Sequence, residues 1–136
     1  MKVKRLTKTA QIPTRAYEKA AGLDLYADGH FLVVPGHVTK VKTGIAIELP
    51  ATTVGQVWPR SGLAGRGVSV LAGIIDEDFR GEVCVMLASH CGTVEIKPGD
   101  RVAQLLIEPT IKVEPTEVPE LADTDRGDRG FGSSGE

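Results

Sequence analysis

Three acids in a row, Asp76, Glu77 and Asp78, interrupt an otherwise apolar passage, GIIDEDFRGEV (Gly73–Val83). They follow the branched run Gly73-Ile74-Ile75 and precede Phe79, Arg80, Gly81 and a second apolar run from Val83. An ionised carboxylate beside a core costs free energy unless something uses it. Acids placed there therefore mark a candidate site, and proton transfer is the chemistry a positioned carboxylate offers. The plainer alternative is an acidic turn in water. A second chemistry lies in Arg60-Ser61-Gly62, where a cation, a hydroxyl and exposed backbone N–H groups meet at a helix start. Such a start binds anions, phosphate above all. The third candidate is the C-terminal stretch Arg126–Gly135, which holds four glycines and carries a large ordering cost. It reads either as a disordered tail or as a lid. Phe131, between Gly130 and Gly132, needs a surface for its ring. Ser133, Ser134 and nearby amides can form an anion-binding nest, and Arg126 can grip a phosphate bidentately.

Short strands must hold these groups in place. Alternating apolar runs occupy Lys2–Leu6, Leu23–Ala27, Phe31–Val34, Val38–Lys42, Ile45–Leu49 and Val54–Trp58. They continue through Val68–Leu71, Val83–Ala88, Val94–Ile96, Val102–Glu108 and Ile111–Glu114. Turn signals recur every 8–12 residues or so, the signature of an all-β sandwich or barrel. The runs flanking the acids read as a β-hairpin. Pro35-Gly36 and Pro98-Gly99-Asp100 end two similar strands, a faint echo of paired hairpins. One helix of a turn or two is expected over Ser61–Arg66, with Ser61 capping its first amides and Gly62, Gly65 and Gly67 keeping it short.

Composition removes several classes of function. The chain has 136 residues, enough for one core, and a net charge of −2 with both signs interspersed. Neither a footprint for duplex nucleic acid nor, with six aromatic residues, a stacking platform for single strands is present. No apolar run is long enough to cross a membrane, and Met1–Leu6 is too short and basic for a signal peptide. A soluble cytoplasmic protein is expected. Cys84 and Cys91 lie seven apart, and His30, His37 and His90 are scattered, so no zinc spacing is visible.

Five stretches, taken in order, carry a resemblance. AGLDLYA (Ala21–Ala27), PRSGLAGRG (Pro59–Gly67), GIIDEDFRGEV, RVAQLLI (Arg101–Ile107) and RGDRGFGSSG (Arg126–Gly135) resemble the five ordered motifs of the trimeric dUTPase family. The resemblance implies a jelly-roll-like distorted barrel or sandwich, a homotrimer, and magnesium-dependent hydrolysis of dUTP to dUMP and pyrophosphate. It also implies a core over residues 1–114 and a closing arm over 115–136. By this likeness Asp76 is the general base that activates water. Asp24 supports the catalytic arrangement and reaches Mg2+ through water, with no direct protein cage for the metal. Gln104 lies near the phosphates and the metal's outer shell, Arg60, Ser61 and Gly62 hold the α/β end, and Arg126, Ser133 and Ser134 close over the β/γ end. Phe131, beside Gly132, stacks on the uracil. Gly73, Ile74 and Ile75 present backbone groups to the uracil edge, and Phe79 packs on the deoxyribose.

Two positions depart from the family pattern: Phe79 stands where Tyr is commoner, and Arg129 replaces a residue that is usually small. Trimerisation has a physical argument of its own. Motifs scattered along so short a chain are hard to gather in one small sandwich, and closed cyclic symmetry brings them together. The alternatives are a dCTP deaminase, a bifunctional deaminase–dUTPase, or a non-catalytic nucleotide-binding relative. The RSG helix start, the intact Asp76 and the GFGSSG lid disfavour them.

Overall fold

The computed structural model describes residues 1–130. In chain order the strands are β1 (Lys2–Arg5), β2 (Leu23–Tyr26), β3 (Phe31–Val33), β4 (Val38–Glu48) and β5 (Thr53–Trp58). A helical turn, α1 (Ser61–Ala64), is followed by β6 (Val68–Val70), β7 (Ile74–Ile75), β8 (Glu82–Ser89), β9 (Val94–Ile96) and β10 (Arg101–Pro109). Strict alternation makes the strands. Along β8, buried Val83, Val85 and Leu87 alternate with half-buried Glu82, Cys84 and Met86, because successive side chains point to opposite faces.

Two four-stranded sheets, ordered β1-β4-β8-β6 and β2-β10-β5-β7, are joined by the pair β3-β9. Each named pairing is antiparallel. Leu25, Val33, Val41, Val85, Val102 and Leu105 are fully buried between them, each contributing about 1.5–3 kcal/mol by leaving water. The result is an all-β, jelly-roll-like fold with one tiny helix. No helix among the described residues is long and apolar enough to cross a membrane.

Four local expectations are corrected. Val38–Lys42 and Ile45–Leu49 run as one strand, β4, whose register shifts between Lys42 and Ala46. Ile111–Glu114 forms no strand: Pro109 closes β10, and Ile111 and Val113 stay 89% and 77% exposed. Alternation without a sheet edge to join yields no strand. The stretch around Asp76 is not a hairpin, since β7 pairs with β5 and β8 pairs with β4 and β6. It is the link by which the chain crosses from one sheet to the other. Ser61 is not a cap, because Arg60 occupies the cap position and makes no side-chain cap bond. The Pro-Gly echo is geometric: those turns follow β3 and β9, which pair with each other.

Candidate active site

The register of the second sheet sets one half of the site. Asp24 on β2 faces Gln104 on β10, and Gln104 faces Trp58 on β5, giving a row of side chains on one face. Two residues after Trp58 comes Arg60, in extended conformation at the start of α1. Its Nε donates to Asp24 Oδ1 at 2.9 Å, and its Nη1 reaches the Arg101 carbonyl at 3.5 Å. Arg101 Nη1 donates to the other carboxylate oxygen, Oδ2, at 3.3 Å. Asp24 is 2% exposed, and a buried carboxylate is tolerable only when paired in this way.

Arg101 reaches Asp24 because of an irregularity. Three positions separate it from Gln104, which in a regular strand would put the two on opposite faces. A bulge between Arg101 and Ala103 restores the shared face. Two arginines around one acid leave the cluster with one net positive charge beside a cavity that Asp24 lines. That cavity, about 400 Å³, is lined by Gly22, Asp24, Trp58, Pro59 and Gln104 among others. A helix of one turn has little macrodipole, so what Ser61 and Gly62 offer is uncapped N–H groups.

The crossover forms the other half. Gly73 O accepts from Val57 N at 2.7 Å, and a Cβ on Gly73 would lie 2.6 Å from Val57 O. Only glycine lets β7 approach β5 so closely. Ile75 is buried, while Ile74 is 68% exposed. The chain then turns, with Phe79 N donating to Asp76 O at 3.1 Å. Arg80 Nη1 pins the turn by donating to the carbonyls of Glu77 and Phe79 at 2.8 and 2.9 Å. A Cβ on Gly81 would meet the Phe79 ring at 2.7 Å, so the ring lies against bare backbone.

Two of the three acids, Glu77 and Asp76, differ in setting. Glu77 Oε2 accepts from Thr52 N at 3.0 Å and lies 3.8 Å from Lys112 Nζ, which ties it to the scaffold. Asp76 is exposed and lines a cavity of about 220 Å³ together with Lys40, Ile74, Ile75, Phe79, Glu82 and Cys84. Burial pushes the Cys84 thiol above its ordinary pKa, and the nearby Glu82 carboxylate adds to the rise. Cys84 therefore stays a neutral wall.

Within one chain the two halves line separate cavities, Asp24 and Gln104 one and Asp76 and Phe79 another, with Trp58 and Ile74 meeting at the rim of a third. Arg126 belongs to neither, and its Nε donates to the Arg129 carbonyl at 2.9 Å. Phe131, Gly132, Ser133 and Ser134 lie outside the described residues. Among the described residues no group of three His, Cys, Asp or Glu could hold a metal ion. Both Asp24 oxygens are engaged by arginines. This donor set fits an ion carried in by substrate phosphates and reached through water. Sequence reasoning overlooked Arg101, whose role depends on the bulge, Lys40 and Cys84, which line the site through cross-strand register, and Arg80, which pins its own turn by local bonds.

An all-β scaffold with a carboxylate held between two arginines, and a separate cleft edged by Asp76, fits the jelly-roll class. The family model described as dUTPase matches residues 8–135. The chain belongs to the dUTPase family. It is 48% identical to the deoxyuridine 5'-triphosphate nucleotidohydrolase of Corynebacterium glutamicum, covering 99% of this chain and 94% of that one. It is 42% identical to the camelpox virus enzyme of the same name, over 95% and 88%. Among solved structures, a mutant dUTPase of Staphylococcus bacteriophage 80alpha with dUpNHpp superposes with a TM-score of 0.89 at 26% identity, over 99% and 98% of the two chains. A mutant dUTPase from phage phi11 of S. aureus, described as revealing the coordination of a structural Mg(II) ion, matches in fold at 24% identity and a TM-score of 0.79, over 88% and 96%.

Proposed function

We propose that this protein hydrolyses dUTP to dUMP and pyrophosphate, lowering dUTP and supplying dUMP for thymidylate synthesis. The observation that carries the mechanism is the exposed Asp76 carboxylate in the cavity shared with Ile74, Ile75 and Phe79. Uracil and deoxyribose enter that cavity, with the Gly73–Ile75 backbone pairing the uracil edge. A buried polar group left unpaired by cytosine costs about 1–3 kcal/mol, and Phe79 covers the sugar face where a 2′-hydroxyl would lose its water. Asp76 holds a water in line with the α-phosphorus. The water oxygen bonds to phosphorus, its proton passes to the Asp76 carboxylate, and the bond to the α–β bridging oxygen breaks to release pyrophosphate. The dUpNHpp of the phage relative carries an NH at that same bridge, which supports α–β cleavage as the reaction.

Arg60, Ser61, Gly62 and Gln104 bind the phosphates, and Asp24 orients Arg60. Magnesium, when bound through the triphosphate and water, neutralises phosphate charge. Because the two half-sites line separate cavities within one chain, the reading includes a homotrimer in which one subunit supplies the Asp76 cavity and another the Arg60 cluster. The arm over 115–136 then brings Arg126, Phe131, Gly132, Ser133 and Ser134 over a third subunit's substrate. The enzyme is expected in the cytoplasm, alongside its nucleotide substrate.

Pyrophosphate release from dUTP, dCTP, dTTP and UTP in parallel, with and without magnesium, tests this reading. Rapid turnover of dUTP alone supports it, whereas ammonia from dCTP or binding of dUTP without turnover contradicts it.

A further inference from the structure

We infer that Arg101 is a positioning residue for substrate phosphate, acting through Arg60 rather than by touching phosphate itself. The inference rests on the proposal that Arg60 binds the phosphates. Arg60 is fixed at two atoms, its Nε on Asp24 Oδ1 at 2.9 Å and its Nη1 on the Arg101 carbonyl at 3.5 Å. The carbonyl is backbone and survives substitution, so the Arg101 side chain acts through Asp24 alone, with its Nη1 on Oδ2 at 3.3 Å.

A carboxylate with one oxygen vacated turns toward the guanidinium that remains, because Arg and carboxylate prefer the bidentate fork. With Arg101 in place that fork is blocked. Asp24 is held to a single bond with Nε, and the outer edge of the Arg60 guanidinium stays available to an anion. The bulge between Arg101 and Ala103 is what turns Arg101 to this face, so the irregularity has a functional reading. Burial reinforces the arrangement. The Asp24 side chain is 3% exposed against 23% for Arg60 and 47% for Arg101, so the acid cannot replace a lost partner with bulk water.

Titration of the full chain with dUpNHpp and magnesium, across Arg101→Gln, Arg60→Ala and the double variant, decides the point. Arg101→Gln is expected to weaken binding about ten- to a hundredfold, the range of one charged hydrogen bond, and to add less than about threefold on the Arg60→Ala background. Should Arg101→Gln fail to fold by circular dichroism, the same cycle is run with Arg101→Lys. That variant keeps a cation near Oδ2 on a shorter-reaching, more flexible stem, and a smaller loss that also vanishes with Arg60→Ala is expected. Losses that simply add overturn the inference, because they mean direct phosphate contact or a general structural role. The proposed role of Arg60 survives that result. If Arg60→Ala alone costs no affinity, the role of Arg60 and this inference fall together.

Discussion

Replacing Gly73 with alanine tests how backbone spacing makes the base pocket. The new Cβ would stand 2.6 Å from Val57 O, whereas a carbon–oxygen contact relaxes near about 3.3 Å, so β7 must retreat by roughly 0.7 Å. The obstacle is strand backbone and cannot rotate away. Retreat strains the 2.7 Å bond from Val57 N to Gly73 O and loosens the pairing of Ile74 with Gln56 and Ile75 with Gly55. Overpacking of this kind costs about 1–3 kcal/mol, and a weakened hydrogen bond adds up to about 1 kcal/mol. A domain of this length should melt lower by roughly 3–5 °C for each kcal/mol. Activity should suffer more than stability, because the same backbone is proposed to face the uracil edge. A displacement approaching 1 Å can cost about a hundredfold in rate. Thermal denaturation and kcat/KM for dUTP measure the two effects. Wild-type values for both would refute the claim that Gly73 sets the spacing. Loss of stability with unchanged kcat/KM would refute the link from that spacing to the base pocket.

Other expectations follow from the same geometry. Phe79→Ala should narrow the ratio of kcat/KM between dUTP and UTP, since the ring lies beside the Gly81 backbone and stays 42% exposed; an unchanged ratio would place sugar selection elsewhere. Deleting residues 127–136 should leave the proposed trimer intact by light scattering yet cripple turnover, while dissociation would make the arm a structural strap. The Thr7 and Thr9 hydroxyls hold the Asp28 carboxyl below its ordinary pKa. Its contribution to stability is therefore present above about pH 4 and is lost as pH falls through the lower folded value. Thr7→Val should accordingly be less stable than wild type near neutrality, with the difference shrinking in acid; a constant difference across that range would detach Thr7 from Asp28.

What was legible in the sequence divides along physical lines. Alternation over Val83–Ala88 and Val102–Glu108 identified real strands, because burial on one face is a local property that residue type records. The same signal over Ile111–Glu114 failed, since alternation says nothing about whether a sheet edge is available. The acids at 76–78 stand out in the sequence as a conflict with local rules. Their setting was misread, because which strand β7 pairs with is decided by distant β5 and not by the next run along the chain. Ser61 has capping chemistry, but the extended Arg60, held by Asp24 from 36 positions away, takes the cap position. Arg101 illustrates the limit most clearly. Its residue type was visible inside RVAQLLI, yet its face is set by a bulge that period-2 reading cannot detect.

The most direct measurement of the account is Asp76→Asn, assayed for dUpNHpp affinity and for single-turnover hydrolysis of dUTP. A positioned general base predicts affinity within about tenfold of wild type and a chemical step slower by about a hundred- to ten-thousandfold. Hydrolysis at the wild-type rate would show that another group activates the water.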